Sequence, residues 1–189
     1  MSARGLSQEY LDHAAGLFEK TYDGGERGPL FLAAMGLWAV QSGDSRAHDL
    51  LEAATAAGVI RPKAYLELAR LRLQDALPYP TSGIGDLTAV DSAAILKLLA
   101  VARRQMPSLL EAHELTAEVL EHAPVMPTRA DLEVLDDSLR LFPRQASLVI
   151  TVAGLYRRSG FADKAAAIIA RGTAFAESDA DRALLAAAP

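Results

Sequence analysis

Four glutamates follow one another at a spacing that would bring their carboxylates together. Their intervals of three, four and three residues put all four side chains on one face of an α-helix. Like charges at these intervals repel by about 0.2–0.5 kcal/mol per pair, so the helix gains nothing from the grouping, whereas a cationic partner would gain from it. The four glutamates, called the acidic strip below, are Glu111, Glu114, Glu118 and Glu121. Glu114, Glu118 and Glu121 are therefore candidate partner-binding residues.

Three alternative roles for the acidic strip stay open. Ser108 and Glu111 have the spacing of a capping box, in which two side chains satisfy the first backbone N–H groups of a helix. The strip could also be a solvated face, or its charge could be neutralised by arginines of neighbouring helices. Those arginines, Arg70, Arg157 and Arg158, would otherwise extend the strip into a charged groove, and they are candidate binding residues as well.

Histidine and glutamate side chains in this region begin a metal-binding pattern without completing it. His113 and Glu114 start like the zinc motif H-E-x-x-H, but Ala117 occupies the position of the second histidine. Glu118 and His122, one helical turn apart, provide only half a site. We therefore expect no bound metal.

Other residue patterns that support catalysis are also incomplete. Gly83, Gly85 and Asp86 suggest a phosphate-binding loop, but neither a third glycine nor a Lys-Ser/Thr pair follows, and no strand is predicted before them. The chain has no cysteine, hence no thiol nucleophile and no disulfide. It also lacks the G-x-S-x-G motif of serine hydrolases. We expect no enzymatic activity and no cofactor.

The composition of the chain favours α-helices. Hydrophobic residues make up 51% and aromatic residues only 6%, and the abundant alanine is both the best helix former and small enough to let helix axes approach. The formal charge of -5 gives no general attraction to phosphate backbones, so we expect no nucleic-acid partner. No stretch approaches the roughly 20 apolar residues that cross a bilayer, and none resembles a signal peptide. We expect no membrane insertion and favour a cytoplasmic location.

The elements that would position the acidic strip are helix pairs, and the clearest pair is near the end of the chain. Apolar residues at i, i+3, i+4 and i+7 predict one helix, Gly160 predicts a break, and a second stripe with small residues predicts an antiparallel helix. The first stripe is Val149, Val152, Ala153 and Tyr156, and the second is Ala165, Ile169 and Gly172. Upstream, Phe31 precedes Ala47 by the same 16 residues that separate Val149 from Ala165. This agreement predicts that helix pairs repeat along the chain.

The order of large, small and aromatic residues, followed by small and large ones, resembles the tetratricopeptide repeat (TPR), whose pattern runs W-x2-L-G-x2-Y and then A-x3-F. The resemblance covers roughly residues 29–177. It implies an all-α, TPR-like α-solenoid, in which antiparallel helix pairs stack into a right-handed superhelix. It also implies that the first helix of each pair lines a concave face that commonly holds a partner peptide or helix, and that the repeats are rarely catalytic.

We predict one helical-repeat domain over residues 1–189. A partial repeat occupies 7–22, complete repeats occupy 29–57, 62–105, 108–142 and 144–177, and a capping helix occupies 178–188. The second repeat carries an insertion at 76–87, rich in proline and glycine, in which Tyr79 is a further candidate binding residue. Because the first repeat lacks its first helix, the sequence suggests the tail of, or a piece cut from, a larger protein, but it does not decide between this and a free-standing adaptor.

The sequence therefore predicts a bacterial protein-interaction scaffold or adaptor that binds a peptide or helix of another chain in its concave groove. One alternative is an accessory domain of a larger bacterial enzyme that positions substrate or forms oligomers. Another is a small-molecule binder, which would need a closed apolar pocket with converging polar groups. The sequence predicts neither the oligomeric state nor the identity of the partner.

Overall fold

The computed structural model describes residues 8–77, 86–104 and 106–188. Within these ranges the chain forms α-helices and no β-strand, which confirms the all-α class predicted from the sequence. The helices are α1 (Gln8–Asp23), α2 (Pro29–Ser42), α3 (Ala47–Ala56), α4 (Pro62–Ala76), α5 (Ala89–Arg103), α6 (Leu110–His122), α7 (Arg129–Leu141), α8 (Ala146–Arg158), α9 (Ala162–Phe175) and α10 (Asp179–Ala186). Among the described residues, no helix combines the length and the apolar character needed to cross a membrane.

The chain divides into two compact units, Met1–Leu68 and Ala69–Pro189. Helices α1 to α3 and the start of α4 belong to the first unit, and the rest of α4 with α5 to α10 belongs to the second. The helix pairs proposed by the repeat boundaries are α2 with α3, α4 with α5, α6 with α7, and α8 with α9. The single domain and the boundaries within it stay predictions.

In the first unit, aromatic and charged contacts attach α1 to the pair α2 and α3. The Phe18 ring centroid lies 6.0 Å from that of Phe31 and 5.9 Å from that of Trp38. Aromatic pairs at such distances contribute favourably beyond the area they bury. The Arg46 guanidinium, next to the start of α3, also donates to Glu19 of α1 at 3.1 Å. Helix α1 is thus held by contacts with α2 and with the residue that precedes α3.

In the second unit, one hydrophobic core joins α6, α7, α8 and α9. Leu135 of α7 and Val152 of α8, which the helical spacing predicts to face inward, are completely shielded from solvent. The buried members of this core are Ala117, Leu120, Leu132, Leu135, Leu148, Val152, Ala153, Leu155, Tyr156 and Ala165. The core therefore fixes α6, which carries the acidic strip, relative to α8.

Helix α7 begins with a capping box, whereas the box predicted for the start of α6 does not form. At α7, Thr128 and Asp131 form the box: the Thr128 N–H donates to the Asp131 carboxylate at 2.8 Å, and the Asp131 N–H donates to the Thr128 hydroxyl at 3.3 Å. At α6, the box predicted for Ser108 and Glu111 is wrong. The helix begins one residue later than the box requires, so that Leu109 is the N-cap residue and supplies no side-chain cap. Capping therefore does not explain Glu111.

Two helix contacts depend on glycine because the helices approach closely. A Cβ atom on Gly36 of α2 would lie 2.8 Å from the Leu51 side chain of α3, and one on Gly172 of α9 would lie 2.6 Å from Val149 Cγ1 of α8. Both distances are well below carbon–carbon van der Waals contact, so a larger residue would push the helices apart. The small residue at position 172 is therefore what lets α9 pack against α8.

We expect Gly172→Ala to destabilise the second unit by about 1–2 kcal/mol, because overpacking outweighs the gain of about 1 kcal/mol in helix propensity. Gly154→Ala is the matched control, since no atom lies within 4 Å of a Cβ placed on this glycine of α8. It should stabilise the protein by about 0.5–1 kcal/mol. Urea unfolding followed by far-UV circular dichroism measures both changes, and shifts of the same sign and size would contradict the prediction.

Candidate functional site

Three glutamates of the acidic strip line one groove on the surface of the second unit. Glu114 is half-buried there, whereas Glu118 and Glu121 are exposed. The groove lies between α6 and α8, and its other lining residues are Ala117, His122, Ser147, Leu148 and Thr151. Within the described part of the chain, this lining contains no Lys or Arg. The surface, called the α6–α8 groove below, is therefore acidic.

Helix α6 presents these glutamates to solvent because its opposite face is buried. Leu115, Thr116 and Val119 are buried, and they set the rotation of the helix about its axis. On the other side of the groove, the Ser147 hydroxyl of α8 donates to Glu114 Oε1 at 3.1 Å. The groove is thus built by two packed helices and not by loops.

Arg158 ties α8 to the end of α6. Its Nη1 donates to the carbonyl of Glu121 and its Nη2 to the carbonyl of Leu120, both at 2.6 Å. These are among the last carbonyls of α6, which have no partner within the helix. Among the described residues, Arg158 therefore donates hydrogen bonds to the α6 backbone and forms no ion pair with a carboxylate of the acidic strip.

The other predicted binding residues do not line the groove. Arg157 is exposed near the end of α8. Arg70 is half-buried on α4 and has interactions of its own. Tyr79 and residues 78–85 of the insertion at 76–87 lie outside the described residues. The role of these residues in binding stays a prediction, and so does that of Arg158.

Glu118 and His122, the half of a metal site noted in the sequence, do line the same groove. The Nδ1 atom of His122, however, lies 3.7 Å from the Asp86 carboxylate. Over residues 8–77, 86–104 and 106–188, no three side chains of His, Asp or Glu come together as metal ligands would. The groove therefore offers carboxylates for hydrogen bonds and ion pairs.

His113, the other histidine of the incomplete zinc pattern, belongs to the core. Only 3% of His113 is exposed to solvent. Its Nδ1 atom lies 2.7 Å from Ser138 Oγ of α7. Because the Ser138 hydroxyl donates to the Val134 carbonyl, Nδ1 is the donor of this pair. Burial lowers the pKa of His113 to about 4, and the charge of Arg103 acts in the same direction. His113 is therefore neutral at physiological pH and joins α6 to α7.

The residues on the α8 side of the groove were not predicted from the sequence. Ser147 and Thr151 line it, four residues apart on one face of that helix. Their spacing is visible in the sequence, but short hydroxyl side chains have no pattern that distinguishes a binding face from an ordinary exposed one. Only the packing of α8 against α6 shows which of its faces meets Glu114.

No protein-family model matches the sequence, and no curated protein matches it. Solved structures do match. YrrB, described as a TPR protein with an unusual peptide-binding site, is 15% identical, and the match covers 95% of this chain and 84% of YrrB with a TM-score of 0.68. MamA from Desulfovibrio magneticus RS-1, from its residue 41 to the end, is 13% identical over 87% of this chain and 85% of that one, with a TM-score of 0.61. TTC0263, a thermophilic TPR protein of Thermus thermophilus, is 20% identical over 94% of this chain and 90% of its own, with a TM-score of 0.55.

The chain has the TPR fold. The TPR-like solenoid fold predicted from the sequence is thereby confirmed. At these identities the similarity concerns the fold and does not extend to the residues of the site.

Two tyrosines show how one TPR helix pair joins the next within each unit. The Tyr65 hydroxyl of α4 donates to the Thr55 carbonyl of α3 at 3.4 Å, and the Tyr156 hydroxyl of α8 donates to the Leu132 carbonyl of α7 at 3.1 Å. Both tyrosines are buried. In each case the first helix of a pair is bonded to the second helix of the pair before it. With the predicted repeat boundaries, helices α6 and α8, which form the groove, are the first helices of consecutive pairs.

Proposed function

We propose that the chain is a protein-interaction module of the TPR type, which binds a basic segment of another protein in its α6–α8 groove. The observation that carries the proposal is the convergence of Glu114, Glu118 and Glu121 in one groove. In the TPR family the first helices of the pairs line the face that commonly holds a partner, and the predicted repeat boundaries make α6 and α8 such helices.

The charge of the groove is available to a partner. In the described residues, Glu114 accepts a hydrogen bond from Ser147, and none of the three carboxylates takes part in an ion pair. Lys or Arg side chains of a bound segment would therefore form new charge-assisted hydrogen bonds, which are roughly twice as strong as neutral ones. Leu148 and Ala117 lie at the bottom of the groove but are buried in the core, so the carboxylates dominate its surface. A basic segment fits it best.

The groove is also preorganised. Both of its helices are held by the shared core that includes Leu120, Leu148 and Val152. Binding therefore does not have to order them, which reduces its entropic cost. YrrB, with its described peptide-binding site, supports peptide binding as a function that this fold can perform. The proposed mechanism is recognition on a preformed surface, without catalysis.

The test compares two fluorescein-labelled peptides of equal length, one of alternating Lys and Leu and one of alternating Glu and Leu. We expect the full chain to bind the Lys peptide more tightly, with an affinity that falls as salt is raised. The triple variant Glu114→Gln, Glu118→Gln, Glu121→Gln should weaken this binding by about tenfold or more, because it removes the acceptors of the basic side chains. Fluorescence anisotropy measures the affinities.

Glu111→Gln is the matched control, since Glu111 belongs to the same strip and helix but does not line the groove. It should leave the affinity nearly unchanged. The triple variant should be as stable as the wild type or more stable by a few tenths of a kcal/mol, because it relieves repulsion between like charges. Equal binding of the two peptides, or full binding by the triple variant, would show that the groove is not the site.

A further inference from the structure

A second open surface of the same unit lies between the second helices of the last two pairs. Helices α7 and α9 leave a cleft of about 280 Å³ between them. Its apolar floor consists of Leu139, Val149 and Ile168. The other residues that line it are Asp136, Arg140, Pro143, Lys164, Ala167, Arg171 and Gly172. This surface, called the α7–α9 cleft below, shares no lining residue with the α6–α8 groove.

The rim of the cleft is cationic, although the chain has a net charge of -5. Arg140, Lys164 and Arg171 line it together with one carboxylate, that of Asp136. This carboxylate is already engaged, because it accepts from the Tyr156 hydroxyl at 2.8 Å and from Lys164 Nζ at 2.7 Å. The cleft therefore offers positive charge around an apolar floor.

The rim cations remain accessible to a partner. The side chain of Lys164 is 47% exposed and that of Arg140 is 71% exposed. Arg140 pairs at 2.9 Å with Asp137 of its own helix, also largely exposed. Arg171 lies 5.7 Å from the Phe175 ring centroid and takes part in no ion pair among the described residues. Exposed pairs contribute little to stability, so an incoming carboxylate can replace them at small cost.

We propose that the α7–α9 cleft binds a short acidic segment of another protein. The segment inserts one or two large apolar side chains between Leu139 and Ile168 and places carboxylates on Arg140 and Arg171. The volume of the cleft lies just below the range of about 300–1,000 Å³ that is typical of ligand pockets, which suits an anchoring side chain better than a whole compact ligand. Charge complementarity selects an acidic segment, because a basic one would meet three cations.

This preference is opposite to that of the α6–α8 groove. The groove is formed by α6 and α8, whereas the cleft is formed mainly by α7 and α9. The only residue of α8 that lines the cleft is Val149, on its floor. One unit could therefore hold a basic segment and an acidic segment at the same time. The cleft proposal does not depend on the groove proposal, and either can fail alone.

The first experiment selects phage-displayed random peptides of about 12 residues on the full chain and counter-selects them on the Ala167→Phe variant. Ala167 is exposed on α9 and lines the cleft, so a phenylalanine there fills the cleft without entering the core. We expect recovered peptides to be net negative and to carry at least one large apolar residue. Recovery of neutral or basic peptides, or of peptides that bind Ala167→Phe equally well, would overturn the proposal.

The second experiment tests the rim with a fluorescein-labelled copy of the most enriched peptide. The double variant Arg140→Glu, Arg171→Glu should weaken its binding by about tenfold or more. Arg129→Glu is the matched control, because Arg129 is 93% exposed on the same helix as Arg140 but does not line the cleft. Its effect should stay within about twofold, as expected for a charge remote from the contact. Equal weakening by both variants would mean that binding depends only on the overall charge of the protein, and it would overturn the proposal.

Two further measurements identify the occupant and the surface. Glu114→Gln with Glu118→Gln should leave binding of the acidic peptide unchanged, since these residues line the other surface; a matching loss would place the peptide in the groove and refute the cleft.

Light scattering should show the same oligomeric state for the wild type and Ala167→Phe. A wild-type dimer that Ala167→Phe dissociates would make a second copy of the chain the occupant, and the proposal would be wrong.

Discussion

Leu135→Ala should lower the free energy of unfolding of the second unit by about 3–4 kcal/mol. Leu135 is completely buried on α7, in a core that includes residues of α6, α8 and α9. The substitution removes buried methyl groups and leaves a cavity that four packed helices cannot easily close. Because each pair in a repeat fold is stabilised mainly by its neighbours, the loss should extend to both helices of the α6–α8 groove.

Leu141→Ala is the matched control for this prediction. Leu141 ends the same helix but is 50% exposed, so its truncation should change the stability by less than about 0.5 kcal/mol. Urea unfolding followed by circular dichroism compares the two variants. Amide hydrogen exchange should also show faster exchange in α6 and α8 of Leu135→Ala. Similar stability of the two variants would mean that Leu135 does not anchor the core.

Acidification from pH 7 to pH 5 should destabilise the protein by about 1–2 kcal/mol through His113. The pKa of His113 in the folded state is about 4, below its usual value of 6.5, because burial disfavours the charged form and Arg103 adds a like charge. As the pH falls through 6.5, the unfolded chain takes up a proton at His113 and the folded chain does not. The contribution of His113 to the free energy of unfolding is therefore fully present above pH 6.5 and is lost progressively between pH 6.5 and pH 4.

The geometry around His113 explains why the folded protein resists this proton. Its Nδ1 atom donates to Ser138, and its Nε2 atom is buried without a hydrogen-bond partner in the described part of the chain. A proton on Nε2 would thus place an unsatisfied donor and a charge inside the core. Asp137, the carboxylate that favours the charged form, has a smaller effect on the pKa than burial does.

His113→Gln isolates this contribution. Glutamine retains a donor for Ser138 but cannot be protonated, so the unfolding free energy of the variant should fall less steeply between pH 7 and pH 5 than that of the wild type. The variant's absolute stability is not the readout, because the side chain also changes shape. Equal slopes for His113→Gln and the wild type would contradict the prediction.

Much of the fold could be predicted because helical periodicity is a local property. The stripe that ends at Tyr156 and the small residue at Gly172 predicted an antiparallel pair, and α8 and α9 form where that pattern lies. Helix starts were less reliable. The capping box at Thr128 forms, but the one at Ser108 does not, since a cap depends on where the preceding turn places the first carbonyl and not on residue types alone.

The candidate site was predicted only on one of its two sides. The spacing of Glu114, Glu118 and Glu121 guarantees that they share a face of α6 whatever packs around it. Basic residues were harder to place. Arg158 was predicted either to bind a partner or to neutralise the glutamates. In the structure it donates its hydrogen bonds to the α6 backbone. A long side chain reaches several possible acceptors, and its choice depends on tertiary distances that no local pattern contains.

By itself the sequence determined the helices, their repetition and the shared face of the acidic strip, because each follows from intervals of a few residues along one chain segment. Only the tertiary structure decided that Ser147 and Thr151 complete the groove and that α7 and α9 leave a cleft rimmed by Arg140, Lys164 and Arg171. These features depend on the rotation and separation of helices that are distant in sequence. Both are set by side-chain packing in the shared core.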